Sequence, residues 1–380
     1  SLNFGVSFTY ADFFLVLAVL LNSHELLQLH KFQIPFMLAV PFFFFSGVMD
    51  HHASSNTIAQ IIYIWGFVVP FGWAAFTNLS IRQIAQILLC AALINGVVAM
   101  GQGAGFIPEL SFLRQKRIDL IHKMNPGFNR APGLALSCNS LMLLMTPCFL
   151  LLPYLRNAKT RAIMLLFMLG GITSTVSKST IMAVPGILYY MWREDQKKKY
   201  FSILGIAVVI IGFAFTKSQG MDAILDKLNT TIVLRTETAD VSVDTRTDLM
   251  LTALDYSKDC LLLGYGTAGS HALIGQGSGH TVHVYLLGLV VIAGYPAAVL
   301  MFIGITTLIV SLWRHGEVYI AGYLTAHMLA CLLTTVLNLS FQSLPFMIAG
   351  AALVTTMRNA ESRQLAANLA ARQLQLRRAA

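Results

Sequence analysis

Long apolar runs recur along almost the whole chain, from Phe4 nearly to Met357, and they limit what the protein can fold into. About 17 to 25 apolar residues suffice to cross a bilayer as a helix. Only 11% of the 380 residues are charged, against about 25% in an ordinary soluble domain. So many runs exclude a single signal peptide. The sequence predicts an all-α fold, a polytopic transmembrane helical bundle.

We predict about eleven spans from length and apolarity. They lie near Phe8–Leu27, Phe32–Met49, Ile58–Phe76, Ile84–Met100, Leu134–Leu155, Arg161–Val176, Ile181–Trp192, Phe201–Thr216, Val290–Trp313, Val318–Val336 and Leu344–Met357. An odd number of spans with a cytoplasmic tail leaves two alternatives, an external amino terminus or a twelfth span ahead of Ser1.

Basic residues mark every second connection between the spans, and this pattern predicts the orientation. Under the positive-inside rule these connections are cytoplasmic, so the net charge of +9 indicates topology and not a nucleic-acid partner. We therefore expect transmembrane helices in 1–216 and 283–357, with an external loop at 101–133. Residues 217–282 form one long periplasmic loop over the site, and 358–380 form a basic cytoplasmic tail helix. This tail either lies along anionic lipid or simply extends the last span.

Three external segments place cations at the mouths of spans, against the charge bias. They contain Arg130, Lys178 and Arg246. Such residues often snorkel to headgroups or pair with acids. Because guanidinium and ammonium groups bind phosphate, the alternative is a site for a phosphate-bearing ligand.

Two histidines, His280 and His283, precede the apolar run that contains Gly294. A histidine at a helix entrance is either an interfacial residue or a general base, and neighbouring cations favour its neutral, basic form. A second external cluster, Asp50 with His51 and His52, has suitable metal ligands but no supporting spacing. We expect a solvated loop there and no metal or other cofactor.

Taken in order, these segments resemble the bacterial O-antigen ligase and O-antigen polymerase family of integral membrane glycosyltransferases. That family has an Arg-x-x-Gly before a Ser-Asn or Pro-Asn pair, then a Ser-Arg or Ser-Lys at the end of a span. An Arg in a long periplasmic loop, a Gly-x-Gly, and a His-Asn opening a helix that ends in Gly follow. The matching positions here are Arg130 with Gly133, Cys138-Asn139, Ser177-Lys178, Arg246, Gly264 with Gly266, and His283 with Gly294. Val284 replaces the usual Asn, and Ile292 stands where an acid is common, so His280 stays open as the alternative histidine.

The resemblance implies transfer of a glycan from undecaprenyl-pyrophosphate to an acceptor hydroxyl at the periplasmic face of the inner membrane. Arg130, Lys178 and Arg246 would bind the pyrophosphate without a metal ion, and His283 would be the base. His280 and Asn139 are second-rank residues. We expect an O-antigen ligase acting on a lipid A-core acceptor in lipopolysaccharide biosynthesis. A polymerase of the same family, a protein-glycosylating relative, and a lipid-linked glycan transporter are the alternatives.

Overall fold

Helices dominate the computed structural model. It describes residues 2–3, 7–8, 10–51, 59, 62–103, 106–107, 133–134, 138–174, 248–267, 269–270, 285–331 and 343–379. Within these ranges the only strands are β1 (Leu2–Asn3) and β2 (Ser7–Phe8), which pair antiparallel. The all-α class is therefore confirmed for this part of the chain.

The first helices agree with the predicted apolar runs. Most of these helices are largely apolar, with one face exposed and another buried in a common core. They are α1 (Tyr10–Leu21), α2 (Gln33–Met49), α3 (Ile62–Phe76, which passes from π- through α- to 3-10 form), α4 (Ile81–Gly103), α5 (α-helical over Cys138–Cys148, 3-10 over Phe149–Tyr154) and α6 (Ala158–Ser174).

The remaining helices form the rest of the bundle. They are α7 (248–257), α8 (Tyr285–Ala293), α9 (Tyr295–Arg314), α10 (Val318–Cys331) and α11 (Leu344–Ala379). Helix α11 runs without interruption from the core into the basic tail, so the tail is helical at least to Ala379. The predicted spans Ile181–Trp192 and Phe201–Thr216 lie outside the described residues.

One predicted span differs from the structure, because the run Val290–Trp313 is broken at Gly294. This glycine has φ +91° and ψ 168°, a conformation that is essentially restricted to glycine. Pro296 follows in the first turn of α9, where its missing N–H removes no helical hydrogen bond. The apolar run is thus two helices, α8 and α9.

Two of the described helices, α4 and α9, are long and apolar enough to cross a membrane. Helices α2, α3, α5 and α10 and the apolar part of α1 are shorter, with 10–17 residues. Large apolar side chains face outward on the longer helices, among them Ile87 and Ile94 on α4 and Val299 and Phe302 on α9.

Helices α2, α4 and α6 run in one direction and α3, α5 and α9 run in the other, so the bundle has two ends. We call the first the basic end; it comprises residues 22–32, 77–82, 155–159, 314–318 and 358. Its loops are joined by hydrogen bonds from Asn78 to Asn22, 2.5 Å, and from Tyr154 to Glu317, 3.0 Å. The buried Glu25 carboxylate pairs there with Arg358 of α11. The basic residues of this end are Lys31, Arg82, Arg156, Lys159, Arg314 and Arg358.

The opposite end, which we call the glycine end, comprises Asp50, 101–103, 133–134, Ser174, 260–270 and 294. The glycines of the sequence motifs lie here.

Candidate functional site

The charged residues of the predicted site lie outside the described residues. This holds for Arg130, Lys178, Arg246, His280 and His283. Asn139 belongs to the first turn of α5 by its backbone. What the structure describes is the framework to which these segments attach, and that framework is the glycine end.

Helix α4 fixes Gly133, three residues after Arg130. The buried Gln102 side chain accepts a hydrogen bond from the Gly133 N–H, 2.9 Å, and its amide donates to the Gly133 carbonyl, 3.2 Å. Asn95, two turns earlier on the same face, accepts from the Leu134 N–H at 3.1 Å. Gly133 has φ +62°, and a Cβ there would lie 3.0 Å from the Asn95 carbonyl oxygen. The position therefore requires glycine for both conformation and space.

The Gly-x-Gly segment packs against the end of α8. The Tyr265 N–H donates to the Val291 carbonyl, 2.8 Å, and a Cβ on Gly264 would lie 2.4 Å from the same oxygen. Leu262 lies beside the break at Gly294, because a Cβ on Gly294 would be 2.5 Å from the Leu262 carbonyl oxygen. Gly264 and Gly266 of the Gly-x-Gly motif and Gly294 at the end of α8 thus belong to one packed unit.

Helix α2 holds this segment from its other side. The Ser46 hydroxyl accepts a hydrogen bond from the Gly264 N–H, 3.0 Å, and the Asp50 carboxylate accepts one from the Gly269 N–H, 2.8 Å. Asp50 is only 7% exposed, so the expectation of a solvated loop is wrong for this residue. His51 is exposed, and His52 lies outside the described residues.

Helices α7 and α8 lie side by side and run in the same direction. Leu249 and Ala253 of α7 form a small apolar cluster with Val291, and Leu287 packs against it. Beyond the end of α7, the Cys260 carbonyl accepts a hydrogen bond from the Tyr295 N–H, 3.1 Å. The ends of the two helices therefore correspond. In sequence, Arg246 comes two residues before Asp248, the first described residue of α7, and His283 comes two residues before Tyr285, the first residue of α8.

Acidic groups and burial set the electrostatics of the described part of this unit. The Cys260 thiol is 1% exposed, and burial together with neighbouring Asp259 raises its pKa to about 11. Burial and then Asp259, to which the Tyr265 hydroxyl donates at 3.3 Å, raise the pKa of Tyr265. Exposed Lys258 pairs with Asp255, 2.6 Å. In the described ranges no group of three or more His, Cys, Asp or Glu residues is placed to hold a metal ion.

Sequence reasoning missed the polar residues that anchor the glycine segments. Ser46 and Asp50 are four residues apart, and Asn95 and Gln102 are seven apart, so each pair occupies one helix face. Polar residues repeated on one face near the end of an apolar helix were the available signal.

Comparison with known proteins finds no family model and no curated protein that matches this chain.

Proposed function

We propose that the chain is a multi-pass inner-membrane glycosyltransferase that moves a glycan from undecaprenyl-pyrophosphate to a sugar hydroxyl at the periplasmic face. The observation that carries the proposal is the parallel pair α7 and α8. Arg246 and His283 each come two residues before the first described residue of one of these helices, and on this basis we infer that a cation and an imidazole from distant parts of the sequence meet at one site.

Placement in a membrane is supported by the surface of the bundle. Exposed apolar side chains continue along α9 from Val299 to Phe302 and Ile303. In water such a surface favours aggregation, whereas in a bilayer it contacts acyl chains. Basic residues gather at one end, as the positive-inside rule requires of the cytoplasmic side. The glycine end is then periplasmic.

An amphipathic α7 supports a site at the level of the lipid headgroups. One face packs on α8 through Leu249 and Ala253, and the other exposes Met250, Leu251 and Leu254. The exposed Leu261 and Leu262 extend this apolar surface to Tyr295, at the beginning of α9. Asp248 and Asp255 of α7 are also exposed. Helices with exposed apolar and charged residues bind at bilayer interfaces, where the pyrophosphate of a lipid-linked glycan also lies.

The chemistry follows from the charges that the sequence contributes to this end. A pyrophosphate leaving group needs charge stabilisation more than a proton, so Arg130, Lys178 and Arg246 bind it as it departs. His283 withdraws the proton of the attacking hydroxyl. His280 is the alternative base, and Asn139 lies near enough in sequence to Arg130 to assist. No metal ion is needed in this scheme.

The test is transfer by the purified protein in vesicles containing undecaprenyl-pyrophosphate-linked glycan. Arg246→Ala and His283→Ala should each lower transfer at least about 100-fold, while Arg82→Ala, a basic residue at the other end, should retain it. Full transfer by both site variants would contradict the proposal. EDTA should leave transfer unchanged.

The acceptor distinguishes the possible products. Extension of lipid A-core identifies the ligase that we propose, whereas extension of a second lipid-linked repeat identifies a polymerase. Movement of the glycan across the vesicle membrane without a new glycosidic bond would instead identify a transporter.

A further inference from the structure

We propose that Asp50 is a positioning residue of the transfer site, because its carboxylate latches residues 264–267 and 269–270 to the end of α2. This segment, which we call the loop for short, becomes helical at Gly266. The consequence for transfer rests on the proposed function, but the latch itself does not.

The latch consists of two contacts on one face of α2. Ser46 and Asp50, one turn apart, accept hydrogen bonds from the first and the sixth residue of the loop, Gly264 and Gly269. Both side chains are buried, Ser46 at 1% exposure. A buried carboxylate is costly unless it is hydrogen-bonded, and bonds to a charged acceptor are stronger than neutral ones. Asp50 therefore contributes more to holding the loop than Ser46.

The fit between Asp50 and the loop leaves no room for a side chain on the loop. A Cβ on Gly266 would lie 2.5 Å from the Asp50 Oδ2 atom, and Gly266 has φ +74°. A Cβ on Gly269 would lie 3.1 Å from the Oδ1 atom. The glycines thus allow the backbone to approach the carboxylate closely, and this explains why glycine occupies positions 266 and 269.

The latch extends from α2 to the two helices that follow Arg246 and His283 in the sequence. The loop is bonded to Asp50 on one side and to Val291 of α8 on the other. Cys260, four residues before Gly264, follows α7 and accepts a hydrogen bond from the Tyr295 N–H. Fixing the loop therefore fixes α7 relative to α8. This relation sets the positions of Asp248 and Tyr285, the first described residues after Arg246 and His283.

Cys260 offers a native reporter of the latch. Its thiol is buried and donates to the Tyr256 carbonyl, so a maleimide reaches it only when the loop opens. Cysteine labelling followed by peptide mass spectrometry measures each thiol separately, in a Cys90→Ser background that removes the exposed cysteine. Buried Cys148 and Cys331 serve as internal references.

We expect Asp50→Ala to increase the labelling rate of Cys260 about tenfold or more, without changing the two reference cysteines. Asp50→Asn keeps an acceptor oxygen and should label within about threefold of the wild-type rate. Asp255→Ala, which removes an exposed carboxylate nearer in sequence to Cys260, is the matched control and should label at the wild-type rate. An unchanged rate in Asp50→Ala, or an equal increase in Asp255→Ala, overturns the latch.

Transfer from undecaprenyl-pyrophosphate-linked glycan tests the positioning role in the same variants. We expect Asp50→Ala to lower kcat about tenfold or more and Asp50→Asn to restore most of it. Faster labelling with unchanged transfer overturns the positioning role. If Asp50→Ala speeds the labelling of Cys260 but the wild-type protein transfers no glycan, the proposed function is wrong and the latch still holds.

Discussion

Gly294 illustrates how much depends on a single residue at the glycine end. Its backbone conformation excludes other residues, and Leu262 fills the space where a side chain would lie. Gly316 is a matched control, because it has φ +85° but a Cβ there would meet nothing within 4 Å. The two glycines therefore separate backbone strain from steric clash.

We expect Gly294→Ala to lower the free energy of unfolding by about 3 kcal/mol, from strain and clash together. Gly316→Ala should cost only about 1 kcal/mol, from strain alone. Thermal unfolding in detergent measures both. Equal losses of stability would contradict the close contact between Gly294 and Leu262.

The burial of a residue could not be predicted from the sequence where its partner lies far away along the chain. Asp50 looked like part of a solvated loop because its partner, Gly269, lies 219 positions away. The buried Glu25 similarly pairs with Arg358, 333 positions away. Burial of a charge depends on such partners, and a single sequence does not contain their pairing.

Among the described helices, α4 and α6 pack against each other most extensively. Gly96 and Gly171 face each other, and a Cβ on Gly171 would lie 2.6 Å from the Gly96 Cα atom. Small residues allow membrane helices to approach this closely, where dispersion contacts stabilise the pair. A methyl group at this contact must therefore push the two backbones apart.

Gly171→Ala should lower the free energy of unfolding by about 2 kcal/mol. Gly66→Ala in α3 is the control, because its Cβ would meet only side-chain atoms at 3.8 Å and beyond. That variant should be neutral or slightly stabilising, since alanine is favoured over glycine in helices. Similar midpoints of thermal unfolding for both variants would refute tight α4–α6 packing.

Elements were the most predictable level of the fold, because apolar runs of helical length determine them locally. Helices appear in nine of the predicted spans. The prediction of one span over Val290–Trp313 was wrong because hydropathy continues through Gly294, and the break is set by backbone contacts with the distant Leu262. Helix α7 was missed as an element for the opposite reason, because it is short and contains charged residues.

The whole molecule has two chemically different ends, separated by the length of a span. Helix α9 has 20 residues and is therefore about 30 Å long. Tyr295, the first residue of α9, lies at the glycine end, and Arg314, its last residue, lies at the basic end. Helices α7 and α8 finish at the glycine end, at Cys260 and Gly294, so we expect a site built from Arg246 and His283 on the periplasmic side, near the beginnings of these two helices.

Pulsed electron-spin distance measurement tests this claim most directly, with nitroxide pairs placed on a cysteine-free full chain in lipid. The pair Arg246→Cys with His283→Cys should give a distance below about 20 Å, because α7 and α8 begin side by side. The pair Tyr295→Cys with Arg314→Cys, at the two ends of α9, should give about 30 Å and serves as the long-distance reference. A first distance as long as the second would contradict a shared transfer site.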